Sequence, residues 1–107
     1  MNVEMLQKLL DKGRDDALLR FSLANAFMQS ANPADAVPHL RAALAHDPGY
    51  SAAWKLLGQA LTDIDDLAGA EATYQAGITA ASDKGDMQAA KEMQVFLRRL
   101  EKRREAN

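Results

Sequence analysis

Two histidines have the spacing that comes closest to a metal site in this chain. His39 and His46 lie seven residues apart, nearly on one face of a helix. Two helical turns separate such side chains by about 10 Å, which is too far for both to bind one ion. No cysteine and no third histidine is present to complete a site. The sequence therefore predicts no metal site and two histidines that face solvent.

The acidic run Asp63-Ile64-Asp65-Asp66 is similar to the opening of a calcium-binding loop. The glycine and the distal glutamate of such a loop are missing from the required places. A turn between two helices, with an aspartate as the N-cap, explains the run better. Neither a phosphate-binding loop nor the spacing of a Ser-His-Asp triad occurs. The sequence therefore predicts no catalytic residue, no cofactor and no small-molecule substrate, and we expect that the chain is not an enzyme.

A cluster of cations closes the chain. Residues 98–107 hold five cations and two glutamates, for a charge of +3, whereas residues 1–97 carry −5. Cations are favoured at the C-terminal end of a helix, so a solvated helix end explains the cluster. Contact with an acidic partner or with RNA is the alternative. The total charge of −2, the pI near 5.6 and the lack of interleaved aromatics argue against nucleic acid.

These groups must be positioned by helices. A chain of 107 residues suits one domain, and many alanines with only three prolines and six glycines favour helix. No alternation typical of a strand occurs, so the predicted class is all-α. Charges at Glu4, Lys8 and Asp11 interrupt any signal peptide, and no apolar run reaches the roughly 20 residues of a membrane span. We expect a cytoplasmic protein without membrane contact.

Turn and cap residues divide the chain into about six helices. The boundary signals, in chain order, are Gly13, Asp15, Asn32-Pro33, Asp47-Pro48-Gly49, Asp65 or Asp66, and Asp83-Lys84-Gly85-Asp86. A shift of 34 residues then superimposes the chain on itself. The pairs that coincide in type are Leu23 with Leu57, Ala26 with Ala60, Ala34 with Ala68, Ala36 with Ala70, and Ala42 with Ala76. A fixed period of this length indicates stacked helical repeats.

The repeat resembles the tetratricopeptide-repeat (TPR) pattern W-x2-L-G-x2-Y, A-x3-F, P. The second repeat reads Trp54-x2-Leu57-Gly58-x2-Leu61, then Ala70-x3-Tyr74, then Ser82. The first repeat reads Arg20-x2-Leu23-Ala24-x2-Phe27, then Ala36-x3-Leu40, then Pro48. The spacings hold throughout, and the departures are Arg20 for Trp, Ala24 for Gly and Ser82 for Pro.

The resemblance implies a right-handed superhelix of antiparallel helices in a single TPR domain, residues 1–107. Its expected parts are an N-terminal half repeat at 1–14, full repeats at 17–50 and 51–84, and a C-terminal capping helix at 86–105. Under the same shift, Lys91 and Glu92 fall where Leu and Gly belong, so the last helix fits a third repeat poorly. The residues expected in the core are Leu23, Phe27, Leu40, Leu44, Trp54, Leu57, Leu61, Tyr74 and Ile78. Pro38 is expected to face solvent on the convex side.

Resemblance to this family also implies a protein-binding scaffold whose concave groove takes a peptide or helix of a protein partner. The expected contact residues are Leu18, Phe21, Asn25, Met28, Lys55 and Gln59, with Met93 as an addition from the last helix. Some family members grip a terminal carboxylate with a polar clamp, but Phe21 and Leu56 stand where that clamp needs polar groups. An apolar anchor is expected instead. A monomer or weak homo-oligomer is expected, with self-association, or weak RNA or ribosome binding through the last helix, as the alternatives.

Overall fold

The computed structural model describes residues 2–106, which form six α-helices and no strand. The helices are α1 Val3–Asp11, α2 Ala17–Gln29, α3 Pro33–His46, α4 Ser51–Asp63, α5 Leu67–Asp83 and α6 Met87–Ala106. Each helix packs against the next one in the chain, and α4 also contacts both α2 and α6. The predicted all-α stack is therefore confirmed.

Aspartate N-caps begin α2, α5 and α6. Asp16, Asp66 and Asp86 accept the backbone N–H three residues further on, at 2.7, 3.0 and 3.2 Å. The acidic run at 63–66 is thus a helix–turn–helix connection, as predicted. The prediction of Asp15 as the cap of α2 is wrong, because its carboxylate is bound by Arg20.

The hydrophobic core contains most of the residues predicted for it. Those buried as predicted are Leu23, Leu40, Leu44, Leu57, Leu61 and Tyr74. Trp54, Phe27 and Ile78 are only partly buried, so the prediction of full burial is wrong for these three. Trp54 stays near the surface because its indole N–H donates to the carbonyl of Pro48 at 2.8 Å. Phe27 also stays near the surface, because its ring stacks on that of His39, with the ring centroids 5.7 Å apart.

Small residues let α4 and α5 approach each other closely. A methyl group added at Gly58 would overlap the ring of Tyr74. One added at Gly77 would lie 2.6 Å from the sulfur of Met93 and 2.9 Å from Cβ of Trp54. In the first repeat the equivalent residue of Gly58 is Ala24, which is fully buried. Leu40 replaces Tyr74 in the first repeat. The smaller side chain of Leu40 leaves room for the methyl group of Ala24.

In the first repeat, Arg20 occupies the tryptophan position of the pattern and forms a polar network. Arg20 donates to both carboxylate oxygens of Asp15, at 2.8 and 2.9 Å. Its remaining terminal nitrogen donates to Nδ1 of His39 at 3.1 Å. His46 lies 3.0 Å from Asp15. The prediction of two solvent-facing histidines is therefore wrong for His39, which is half-buried between Arg20 and Phe27.

The network shifts the titration of two of its members. The hydrogen bond from Arg20, followed by that from His46, holds the pKa of Asp15 well below its usual range. Burial, followed by repulsion from Arg20, lowers the pKa of His39. Arg20 can donate to Nδ1 only while that nitrogen carries no proton. The folded state therefore favours the neutral form of His39.

Pro38 lies on an exposed position of α3, and the helix continues through it to His46. Proline has no N–H, so the carbonyl of Ala34 loses its usual helical donor. Exposure of this site lets water satisfy that carbonyl. The placement of Pro38 toward solvent agrees with the sequence prediction.

We predict that Leu57→Ala lowers the free energy of unfolding by about 2–5 kcal/mol, because it opens a cavity in the core. Leu18→Ala is the matched control, since Leu18 is 59% exposed and should change stability by no more than about 0.5 kcal/mol. Urea unfolding followed by circular dichroism measures both. Equal losses for the two variants would show that the helix register is wrong.

We predict that Pro38→Ala stabilises the protein by less than the roughly 3 kcal/mol penalty of an interior proline. Only part of that penalty is recovered because position 38 lies just past the first turn of α3. Pro33→Ala should give no gain, because proline suits the first helical position. Comparing the two unfolding midpoints tests this, and a destabilised Pro38→Ala variant would contradict it.

We predict that acidification weakens the fold through His39. Its pKa is lower in the folded than in the unfolded state, so its stabilising contribution is complete above the unfolded value of 6.5 and is lost as pH falls below that value. His39→Gln keeps an acceptor for Arg20 but cannot titrate. Thermal unfolding between about pH 7 and pH 5 should therefore show a smaller loss of stability in the variant than in the wild type. Identical pH profiles would exclude this role.

Candidate peptide-binding face

One face of the stack is formed by α2, α4 and α6, the first helices of successive repeats. Helix α4 contacts both of the others, and Lys55 on α4 donates to Glu92 on α6 at 3.0 Å. The face therefore has an α2 side and an α6 side, with α4 between them. We call it the groove face, and it carries the six residues predicted to bind a partner.

The α2 side of the groove face is apolar and open. Leu18 is 59% exposed, and Phe21 is only partly buried, with its ring 5.1 Å from that of Tyr50. Neither α1 nor α6 covers these two side chains completely. Asn25 is exposed beside a shallow depression of about 140 Å³ that Phe21 helps to line. Met28, like Phe21, is partly buried against the core.

The α4 residues of the predicted site are engaged within the chain. The ammonium of Lys55 forms the ion pair with Glu92. The amide nitrogen of Gln59 donates to Asp63 at 2.7 Å. Tyr50 was missed by the sequence analysis because it lies in the turn before α4 rather than on a helix. Its contact with Phe21 makes it a part of the apolar α2 side.

The register of α6 differs from the one used in the sequence comparison. Helix α4 begins 34 residues after α2, but α6 begins 36 residues after α4. Ser82 stands where the repeat has proline, so α5 continues to Asp83 and displaces the next helix. Measured from the helix starts, Met93 then occupies the place of Leu57, and both are buried. The expectation that Met93 joins the binding face is therefore wrong.

This register assigns new residues to the groove face. Lys91, Val95 and Arg99 take the places that Lys55, Gln59 and Asp63 hold on α4. All three side chains are exposed, Val95 by 41%. Asp86, which caps α6, was the sequence signal that could have located them, because it fixes the first residue of the helix.

A cleft opens between α4 and α6, with a volume of about 250 Å³. The residues that line this C-terminal cleft are Gln59, Thr62, Tyr74, Phe96, Arg99, Leu100 and Arg103. Its floor is aromatic, since the rings of Tyr74 and Phe96 lie 5.7 Å apart. Burial raises the pKa of Tyr74, so its hydroxyl stays protonated near neutral pH. The cleft thus combines an apolar floor with cations at its rim.

The cationic end of α6 is partly neutralised by the chain itself. Arg103 donates to Asp65 at 2.9 Å, and Arg104 forms an ion pair with Glu71. Both acids belong to α5 or to the turn before it. These contacts pin the end of α6 to its neighbours, which supports the structural explanation of the basic cluster over a role in RNA binding.

The described residues were also compared with the requirements of a metal site and of a membrane-spanning helix. Between residues 2 and 106, no group of three or more metal-binding side chains lies together. Across the same span, no helix is both long enough and apolar enough to cross a membrane.

Known proteins share both the sequence and the arrangement of these helices. The family model described as tetratricopeptide repeat matches residues 21–86. A TPR repeat-containing protein of Pseudomonas aeruginosa is 46% identical over 104 residues, which span 97% of this chain and 99% of that protein.

Solved structures agree with this relationship. The solution structure of a Bordetella parapertussis protein is 46% identical and superimposes with a TM-score of 0.82, covering 94% of this chain and 88% of that one. The Sgt2 TPR domain of Aspergillus fumigatus is 27% identical with a TM-score of 0.78, covering 96% and 66%. With a family match over more than half of its residues, the chain belongs to the tetratricopeptide-repeat family.

Proposed function

We propose that the groove face binds a peptide or helix of a protein partner, with Leu18 and Phe21 as the apolar anchor. The TPR fold is that of a protein–protein interaction module, which makes a protein ligand the first expectation. The observation that carries the proposal is the 59% exposure of Leu18 one helical turn from the partly buried ring of Phe21. Solvent-exposed apolar groups that lie together on one face of a soluble protein mark binding surfaces.

The residues around the anchor hold its aromatic ring in place and add polar groups beside it. Tyr50 supports the ring of Phe21, so an incoming side chain meets a fixed aromatic surface rather than a mobile one. Asn25 offers both a donor and an acceptor beside it. Lys55 and Gln59 hold intrachain partners, and a ligand has to exchange those contacts for its own. We therefore propose that the α2 side supplies affinity and that the α4 residues orient the partner.

Self-association and RNA binding are less well supported. Two of the five cations that suggested RNA binding are paired with Asp65 and Glu71. The rings that line the cleft with Arg99, Tyr74 and Phe96, are buried or half-buried, so they expose little surface on which a run of bases could stack. We propose a monomer as the binding unit, because the groove face then stays accessible.

We predict that peptides selected from a phage-displayed random library on the wild-type protein bind at least tenfold more weakly to Phe21→Ala, about 1.4 kcal/mol. Phe21 also packs in the fold, so Leu18→Asp provides a second variant at an anchor position that is 59% exposed. Fluorescence anisotropy with one selected peptide measures the affinities.

Met5→Asp is the matched control for Leu18→Asp, since Met5 is also 59% exposed but lies on α1. It should leave the affinity unchanged. Selected peptides that bind both Leu18→Asp and Phe21→Ala as tightly as the wild type would place the binding surface elsewhere. A dimer in sedimentation that excludes the peptide would favour self-association.

A further inference from the structure

We propose that the α6 side of the groove face recognises an acidic segment of the partner, with an apolar side chain of that segment seated in the C-terminal cleft. This inference rests on the proposed function and deepens it. The α2 side would hold an apolar part of the ligand, and the α6 side would hold carboxylates. The expected ligand is thus a peptide with an apolar portion and an acidic portion.

The C-terminal cleft has the size and floor for a single apolar side chain. The cleft has a volume of about 250 Å³ and is lined by the paired rings of Tyr74 and Phe96 and by Leu100. Leu100 is 4% exposed and Tyr74 is 3% exposed, so the floor is set by the core and does not depend on a ligand for its shape. A preformed floor reduces the ordering cost of binding.

One cation that lines this cleft, Arg99, has no acidic partner among the described residues, and two more unpaired cations lie on the same helix. Among residues 2–106, Arg99 takes part in none of the ion pairs, and the same is true of Lys91 and Arg98. All three are exposed. Arg103 at the rim is paired only with Asp65, whose side chain is 76% exposed and can exchange with water or a ligand.

The nearby carboxylates do not cancel this charge. Glu92 is neutralised by Lys55, whereas Asp63, whose hydrogen-bond partner is the neutral amide of Gln59, keeps a single negative charge against the three cations that are unpaired in the described chain. The uncompensated charge of the α6 side is therefore positive, although the whole chain carries −2. A guanidinium presents two parallel N–H groups to a carboxylate, which makes arginine at a cleft rim suited to aspartate and glutamate side chains.

The spacing of its cations distinguishes this site from a clamp for a terminal carboxylate. The cations follow one another along α6, from Lys91 through Arg98 to Arg103, over roughly 18 Å of helix. A single terminal carboxylate cannot meet groups so far apart. Several acidic side chains along a segment can do so.

The test is the peptide selection of the proposed function, repeated on Arg99→Glu. We expect peptides selected on the wild type to be enriched in Asp and Glu beside an apolar residue, and peptides selected on Arg99→Glu to lose that enrichment. One selected peptide is then synthesised with its C-terminus amidated, together with a copy in which Gln and Asn replace Glu and Asp. The acidic peptide should bind the wild type at least about tenfold more tightly than its neutral copy, and Arg99→Glu should remove most of that difference.

Arg41→Glu is the matched control, because it makes the same charge change at an exposed site on α3, outside the groove face. It should keep the preference for the acidic peptide. Circular dichroism confirms that both variants are folded.

The outcomes separate the two proposals. Selected peptides that show no acidic enrichment, or that lose binding only on amidation, overturn this inference and leave the proposed function standing. Equal loss in Arg41→Glu and Arg99→Glu overturns it as well, because the effect is then one of net charge. Selection of no peptide at all contradicts both proposals, and salt-sensitive binding of single-stranded RNA that Arg99→Glu abolishes would assign the cations to nucleic acid instead.

Discussion

The stack depends on the close approach of α4 and α5 at two glycines. At Gly58 the Tyr74 ring fills the space that a side chain would need, and at Gly77 the same is true of Met93 and Trp54. Because packed interiors leave no spare volume, the small residue and its large neighbour must change together. Met93 belongs to α6, so the contact at Gly77 also fixes where the third element of the groove face lies.

The first repeat solves the same packing problem with other residues. Ala24 replaces Gly58, and Leu40 replaces Tyr74. Arg20 replaces Trp54 and forms a polar network, whereas Trp54 packs against Gly77 and donates to the carbonyl of Pro48. That network ties α2 to α3 and to the turn before α2 through Asp15, His39 and His46, and its contact between Arg20 and His39 needs an unprotonated Nδ1. The two repeats therefore share a shape and differ in how their stability responds to pH.

The two sides of the groove face differ in chemistry for a structural reason. Helix α2 carries Leu18 and Phe21 at places where α6 carries Gln88 and Lys91. Helix α6 has no following helix among the described residues, so one face of it meets water and tolerates charge. Its cationic end is then fixed by Asp65 and Glu71 on the preceding helix and turn. The solvent-exposed face of α6 also carries the cations that we propose for ligand recognition.

The sequence by itself determined the class, the six helices and most of the core. The 34-residue period and cap residues such as Asp66 and Asp86 can be recognised from the sequence alone, because they do not depend on knowing the tertiary contacts. The place of Leu18 on the groove face was implied by the resemblance to the TPR family. The 34-residue shift misplaced the register of α6, because α5 continues past Ser82, where the repeat has proline, although the cap residue Asp86 marked the start of α6.

Tertiary structure also decided which polar groups are available. Lys55 is paired with Glu92, a residue 37 positions away, whereas Arg99 has no acidic partner in the described chain. His39 is half-buried because Phe27 and Arg20, on another helix, lie against it. Such pairings join side chains that are distant in sequence, and composition or spacing does not encode them. The sequence therefore located the cationic cluster and, through the family resemblance, the apolar residues, whereas only the stacked helices decided which of the cations lack an acidic partner.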